Sequence, residues 1–190
     1  LKVQTGFPSI FSKIDTLQKK YYHNQNSSVL KNKIIPDGII KTDYSKLQTS
    51  KILHDNKGRC FQLRGKIDAY IVHKNFYSII DFKVTNLNDN KTHIYKTQLI
   101  SYALMFENPN EKSMRLFPVK KLGILCFEPN EWREINQRSF FEMSMKFYEI
   151  QRDDKFFINF ITGVLDFLEG DVPSFSDNCS ICYLKKNKFS

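Results

Sequence analysis

Two aspartates and a lysine lie in neighbouring segments that the sequence predicts to be β-strands. Residues 59–73 carry Asp68, and residues 76–85 carry Asp81 and Lys83. Both segments are rich in Ile, Val, Tyr and Phe and are separated by a short polar stretch, which is typical of two strands joined by a tight turn. An aspartate inside an apolar strand is costly to bury, and two on adjacent strands repel each other unless a cation lies between them. The pair therefore predicts a divalent metal ion held by Asp68 and Asp81.

The position of Lys83 completes this hypothesis. Side chains alternate across a strand, so Asp81 and Lys83 point to one face while Phe82 points to the other. Carboxylate oxygens suit Mg²⁺ or Mn²⁺, and such an ion acidifies water, polarises a phosphoryl oxygen and orients both. A metal and a lysine on one strand face predict phosphodiester hydrolysis.

The Asp-x-Lys tripeptide alone is weak evidence, because it occurs four times, starting at Asp55, Asp81, Asp89 and Asp153. The copy at Asp55 lies in a polar loop beside Gly58 and the copy at Asp153 in a charged stretch between two predicted helices. We interpret both as solvated surface. Only the copy at Asp81 lies near the end of an apolar strand. A purely structural interpretation of this copy is an acid at a strand end beside a surface lysine.

A predicted helix follows the strand pair and carries two further candidates. Residues 93–107 have helical periodicity, and Gln98 and Tyr102 are four residues apart, so they lie on one side of that helix. Two structural readings stay open for these residues. A tyrosine facing a sheet is often core, and a glutamine can simply cap a strand.

Three short motifs thus follow one another on the expected elements: Gly65-x-x-Asp68, Ile-Ile-Asp81-Phe82-Lys83 and Gln98-x-x-x-Tyr102. This order resembles the PD-(D/E)XK phosphodiesterase superfamily in its RecB-like exonuclease branch, with residues 59–128 as the matched core. The resemblance implies a Mg²⁺- or Mn²⁺-dependent nuclease that cleaves DNA, of exonuclease type, in repair or recombination. The rival is a nuclease-like domain without activity that binds nucleic acid or a partner protein.

The resemblance also implies a role for each site residue. Asp68, Asp81 and the backbone carbonyl of Phe82 would bind the metal. Lys83 would orient or deprotonate the attacking water and help neutralise charge on the phosphate. The glutamine and tyrosine of the helix would brace the site or contact the nucleic acid.

Two features depart from the family pattern. Many RecB-like nucleases carry an extra acid or histidine on an N-terminal helix, where this chain offers Asp15 and His23. Neither lies in a recognisable motif, and we interpret them as a solvated helix residue and a helix-end cation. The other departure is a Cys179-x-x-Cys182 pair without the next cysteine that iron–sulfur members of the branch carry.

The remaining cysteines, Cys60 and Cys126, lie on predicted core strands, where a free cysteine is normally a small buried hydrophobe. We therefore expect no iron–sulfur cluster and no zinc site. The Cys-x-x-Cys pair is interpreted as an inherited remnant or a C-terminal tie.

Charge is distributed unevenly along the chain. Residues 1–130 contain 21 Lys and Arg against 10 Asp and Glu, a net charge of +11, whereas residues 131–190 contain 8 against 10 and have a net charge of −2. The half with the predicted site is the basic half, as expected if DNA, single- or double-stranded, is drawn to it. The plain alternative is that the many lysines and asparagines reflect an AT-rich genome.

Composition limits the class of protein. A chain of 190 residues suits a single domain spanning residues 1–190. No apolar run approaches the roughly 18 residues of a membrane span, and no signal peptide opens the sequence. Few, unpatterned cysteines favour a reducing, cytoplasmic compartment.

The predicted fold is an α/β sandwich of the restriction-endonuclease type, with a central mixed sheet flanked by helices. A continuous apolar run at residues 121–128 predicts a central or parallel strand. The wide apolar face of residues 155–168 predicts a core helix. The other predicted elements are a helix to Tyr22, a mostly irregular stretch over residues 24–58 with a short strand within 34–41, and a C-terminal helical part over 139–170 that starts with a helix at 139–151.

Overall fold

The computed structural model describes residues 9–31, 34–42, 46–86, 89–174, 176 and 179, with residues 89–91 described by their backbone alone. Its helices are α1 (Ser9–Tyr22), α2 (Lys96–Glu107) and α3 (Asp154–Glu169), with 3-10 turns at Ser27–Leu30 and Asp89–Tyr95. Its strands are β1 (Ile39–Lys41), β2 (Gln48–Thr49), β3 (Leu53–His54), β4 (Cys60–Phe61), β5 (Arg64–Gly65), β6 (Ala69–Val72), β7 (Tyr77–Val84), β8 (Val119–Ile135) and β9 (Arg138–Ile150).

Five strands form the central sheet in the order β1-β6-β7-β8-β9. Strands β7 and β8 are parallel and the other neighbours are antiparallel. Parallel strands need a crossover, which the second 3-10 turn and α2 supply. The predicted α/β sandwich with a central mixed sheet is thereby confirmed, as is the parallel position of residues 121–128. The predicted strand pair is confirmed only as the β6–β7 hairpin, because residues 59–73 form three short strands, β4, β5 and β6, in different sheets, and Asp68 lies just before β6.

Two apolar layers enclose the sheet. On one face, Leu99, Ile100 and Phe106 of α2 and Phe157 of α3 pack against Ile79 and its neighbours. On the other face, Tyr22 at the end of α1 packs with Ile80, Phe82, Leu125 and Phe127. Each buried Leu, Ile or Phe contributes about 1.5–3 kcal/mol. Strand β7 is therefore the centre of the molecule, and its two faces point into different cores.

The predicted helix at residues 139–151 is wrong, since the chain forms β9 there. Phe141, Met143, Met145 and Phe147 alternate along one face of this strand, and β9 pairs with β8 over its length. Two residues with positive φ, Asn136 at 51° and Gln137 at 61°, make the tight turn between the strands. Such a turn matches the right-handed twist of a hairpin and favours this pairing over a helix.

The helix predicted at residues 155–168 is present as α3, but its apolar face is mostly not core. Phe157 is 2% exposed and packs under α2, as predicted. In contrast, Phe160 is 47% exposed and Leu168 is 70% exposed. Amphipathic spacing predicts the helix and its apolar face, but it does not say what covers that face.

The prediction of solvated surface is wrong for the Asp-x-Lys copy at Asp55, whereas Asp153 is exposed as predicted. Asp55 is buried; its carboxylate accepts hydrogen bonds from the Arg59 guanidinium at 2.6 Å and from the backbone N–H groups of Lys57 and Arg59. Asp153 caps α3 by accepting a hydrogen bond from the Phe156 N–H at 2.9 Å. Both aspartates therefore have structural roles.

Candidate active site

The candidate site lies in a gap in the sheet beside β7. Pairing between β6 and β7 ends at Ala69 and Ile80, while β7 continues to Val84. Asp68 immediately precedes β6, and its Oδ2 accepts a hydrogen bond of 2.9 Å from the Phe82 N–H. The carboxylate thus takes the place of a strand partner, which fixes it at the edge of the gap.

Asp81 and Lys83 lie on the same face of β7, as strand alternation predicts. The Lys83 Nζ is 2.5 Å from Asp81 Oδ2 as an ion pair. That oxygen is buried and has no hydrogen bond of normal geometry from the residues that the structure describes. Burial raises the pKa of Asp81 to about 6, the nearby Asp68 carboxylate also raises it, and Lys83 opposes both.

Lys83 is held as a cation. Burial lowers the pKa of its ammonium, but the charge of Asp81 and its hydrogen bond, with further help from Asp68, raise it above its usual value. A lysine with a raised pKa stays protonated at neutral pH. Its chemistry here is that of a fixed positive charge.

Helix α2 brings the other predicted pair to the same place. The Gln98 side-chain amide lies 3.3 Å from Asp81 Oδ1 and donates to the Tyr102 hydroxyl at 2.9 Å. A Cβ on Gly65 would lie 2.9 Å from Tyr102 Cε1, so the glycine of the first motif makes room for this ring. Burial raises the pKa of Tyr102, which keeps its hydroxyl protonated.

Helix α1 supplies residues that the sequence analysis did not assign to the site. Lys19 Nζ lies 2.8 Å from Asp68 Oδ1 and 2.8 Å from Asp15 Oδ2. The interpretation of Asp15 as a merely solvated residue is wrong, because it lines the cleft and is joined to Asp68 through this ammonium. The i,i+4 spacing of Asp15 and Lys19 is the sequence signal that could have pointed to the pair.

His23, the other N-terminal candidate, lies elsewhere. Its Nδ1 is 3.4 Å from the N–H of Thr42, just after β1. It therefore helps to attach the end of α1 to the sheet and does not line the cleft with Asp68 and Lys83.

The cleft itself has a volume of about 640 Å³ and opens to solvent. One wall is α1, with Phe11, Ser12 and Asp15, and the floor is formed by Asp68 and Lys83. Asp15, Asp68 and Lys83 thus border a space that a phosphate group can enter.

The two carboxylates fit a divalent ion. Mg²⁺ in proteins is typically bound by one or two carboxylates, with waters and substrate phosphates completing its shell. Burial and the neighbouring Asp68 carboxylate raise the pKa of Asp81 even with Lys83 beside it, so a divalent cation at this place would favour the ionised carboxylate. Within the described ranges, no group of three or more His, Cys, Asp or Glu side chains is placed to hold a metal ion.

The cysteines lie apart from this site. Cys126 is buried in the core on the α2 side of the sheet, as predicted. The prediction of a buried Cys60 is wrong, since it is exposed on β4 with its Sγ 3.8 Å from His54 Nδ1. Of the Cys-x-x-Cys pair, Cys182 lies outside the described residues.

Comparison with known proteins adds little to this geometry. No protein-family model and no curated protein matches the chain. Among solved structures it is similar to the crystal structure of SSO0001, with 17% sequence identity, a TM-score of 0.48, and coverage of 95% of this chain and 70% of that one. In the part of the chain that the structure describes, no helix is long and apolar enough to cross a membrane.

Proposed function

We propose that this chain is a Mg²⁺- or Mn²⁺-dependent nuclease that hydrolyses DNA phosphodiester bonds, an exonuclease of the RecB-like branch of the PD-(D/E)XK superfamily. One observation carries the proposal. Asp68 and Lys83 come from two separate motifs and line one cleft, and the Lys83 Nζ is 2.5 Å from Oδ2 of the buried Asp81.

Asp68 and Asp81 are the residues that would hold the ion. When bound, such an ion supplies Lewis-acid activation of water and of the phosphoryl oxygen. Asp68 is fixed by the Phe82 N–H, and Asp81 by its place on a central strand and by Gln98. Rigid carboxylates of this kind favour one reacting geometry and reduce the entropy lost on reaching it.

Lys83 provides the charge that the reaction requires. Negative charge builds on the phosphate oxygens in the transition state, and a preorganised cation in a partly closed cleft stabilises it. Because the lysine stays protonated, we assign it to charge neutralisation and to orienting the water, rather than to taking its proton. The tyrosine and glutamine of α2 then act as positioning residues that hold Asp81.

The basic N-terminal part of the chain supports a polyanionic substrate. Residues 1–130, which contain Asp68, Asp81 and Lys83, have a net charge of +11. Positive surface charge raises the local concentration of DNA and its association rate. DNA held in this way can place a phosphate beside Lys83.

The alternative is an inactive nuclease-like domain that binds nucleic acid or a partner protein. It is favoured by one feature of the site: each of the two carboxylates is already paired with an ammonium group, Asp68 with Lys19 and Asp81 with Lys83. A site that is neutralised internally has less need of a metal ion.

Replacing Lys83 by alanine separates the two functions. In an enzyme, we expect Lys83→Ala to lower turnover by about 10²- to 10⁴-fold, with little change in DNA affinity. A suitable control is Lys121→Ala, because Lys121 is a similarly covered strand lysine whose Nζ pairs with Glu149 at 2.8 Å away from the cleft. Turnover in Lys83→Ala equal to that of Lys121→Ala would overturn the role assigned to Lys83. DNA binding without any cleavage by the wild type would favour the inactive domain.

A further inference from the structure

Lys19 occupies an unusual position between helix and sheet. Its ammonium bridges two carboxylates at 2.8 Å each, Asp15 on its own helix and Asp68 at the sheet gap. Its side chain is only 28% exposed although it lies on a surface helix. The ammonium therefore connects α1 to the segment that precedes β6.

The two oxygens of Asp68 have different partners. Oδ2 accepts the hydrogen bond from the Phe82 N–H, which belongs to the sheet. Oδ1 is the oxygen that Lys19 contacts. A cation that binds Asp68 without disturbing β7 must therefore approach Oδ1, where the ammonium now lies.

We infer that Lys19 is an internal counter-ion of the site, which holds Asp68 Oδ1 in the metal-free protein and competes with a divalent ion for that oxygen. The inference rests on the proposed function, because it takes Asp68 as a metal ligand. Lys19 is thus a positioning residue that tunes metal affinity.

Asp15 makes the exchange feasible. When Lys19 leaves Asp68, its ammonium keeps the ion pair with Asp15 one helical turn away. The displaced charge therefore stays at the cleft wall and is not forced into an apolar environment. Helix α1 also remains attached to the sheet by Tyr22, which packs with Phe82 and Phe127.

The direction of the effect follows from charge. Removing a positive charge about 4 Å from a bound divalent cation strengthens its binding by roughly 30-fold in a water-like medium, and by more at the lower dielectric of a partly closed site. We therefore expect Lys19→Gln, which is neutral but can still form hydrogen bonds, to bind Mn²⁺ at least about 30-fold more tightly than the wild type. A lysine that served only to support the fold would give unchanged or weaker binding when replaced.

The test measures Mn²⁺ binding to the metal-free protein without DNA, by calorimetry or by the signal of free Mn²⁺ in electron paramagnetic resonance. Lys19→Arg keeps the charge and is expected to bind as the wild type does. Lys20→Gln is the matched control, because Lys20 is the next residue of α1, is exposed, and gives the same change in net charge. Melting curves in EDTA check that each variant folds. If Lys19→Gln does not fold, Lys19→Met provides the same comparison with a neutral side chain.

The outcomes separate this inference from the proposed function. Tighter binding in Lys19→Gln alone supports the competition, as does binding by that variant when the wild type shows none. Equal or weaker binding in Lys19→Gln overturns the role of Lys19 and leaves the nuclease proposal intact. Absence of Mn²⁺ binding in every protein overturns both.

Discussion

Asp81 is the most informative residue to perturb, because its charge destabilises the metal-free fold. It is 3% exposed, and burial together with the Asp68 carboxylate raises its pKa from 3.8 to about 6. The ionised form is therefore disfavoured in the folded protein relative to the unfolded chain. We predict that Asp81→Asn, which removes the charge and keeps the shape, stabilises the metal-free protein at neutral pH.

The magnitude follows from the difference in pKa. Each pKa unit corresponds to about 1.4 kcal/mol, so a rise of about two units gives a gain of up to about 3 kcal/mol. Because the pKa of Asp81 is raised, the pH range in which its charge destabilises the fold also follows. Below pH 3.8 both states are protonated and the penalty is absent; it grows as the pH rises towards 6 and is constant above that.

The assay is urea unfolding in EDTA at several pH values between 4 and 8. Asp55→Asn is the control, because Asp55 is also a buried aspartate but its pKa is lowered, whereas that of Asp81 is raised. Burial raises the pKa of the Asp55 carboxyl, and the hydrogen bonds from Arg59 and from backbone N–H groups outweigh this and lower it. Its stabilising contribution is present at neutral pH and is lost in acid, so Asp55→Asn should destabilise the fold.

A loss of stability in Asp81→Asn at pH 7 in EDTA would refute this reasoning. It would mean that the ion pair with Lys83 outweighs burial, so that the carboxylate is compensated without a metal. Added Mg²⁺ provides a further comparison, since it should stabilise the wild type and leave Asp81→Asn nearly unchanged.

Three further predictions follow from the structure. DNA affinity should fall with salt, and each phosphate contact should add roughly 0.7–0.9 to the magnitude of the slope of log affinity against log salt concentration. A slope near zero in a binding titration would mean that the basic charge serves solubility or reflects codon bias. Gly65→Ala should place a methyl group 2.9 Å from Tyr102, shift the ring that supports Gln98, and lower turnover by about tenfold to 10²-fold in a cleavage assay, whereas Gly163→Ala, where a Cβ meets open space, should not. Phe106→Ala should cost about 3–5 kcal/mol in urea unfolding because Phe106 is fully buried under the sheet, and a loss below 1 kcal/mol would contradict the described core.

Local periodicity explains why much of the fold is predictable from sequence. The strands around Asp81 and the helix of Gln98 each carry their pattern within a few residues. The helix predicted at residues 139–151 is wrong because apolar residues there fit both a helical and an alternating spacing. What decides between them is pairing with β8, which local spacing does not contain.

The unpredicted parts of the site depend on contacts between distant residues. Lys19 on α1 contacts Asp68, which lies 49 residues later in the chain, and no local sequence pattern predicts that contact. The polar loop around Asp55 predicts a solvated residue, yet Asp55 is buried and its carboxylate pairs with the Arg59 guanidinium. Likewise, the exposure of Phe160 on α3 depends on what surrounds the helix and not on its own sequence.

The most direct test of the proposed nuclease is incubation of end-labelled single- and double-stranded DNA with the purified protein in Mg²⁺ or Mn²⁺, followed by separation of the products. Asp68→Asn and Asp81→Asn, shown by their melting curves to be folded, are the matched controls. We predict release of nucleotides or short fragments from the wild type, loss of cleavage in both variants, and loss of cleavage in EDTA. Intact DNA with the wild type under either metal, or full cleavage by Asp81→Asn, would contradict the proposed function.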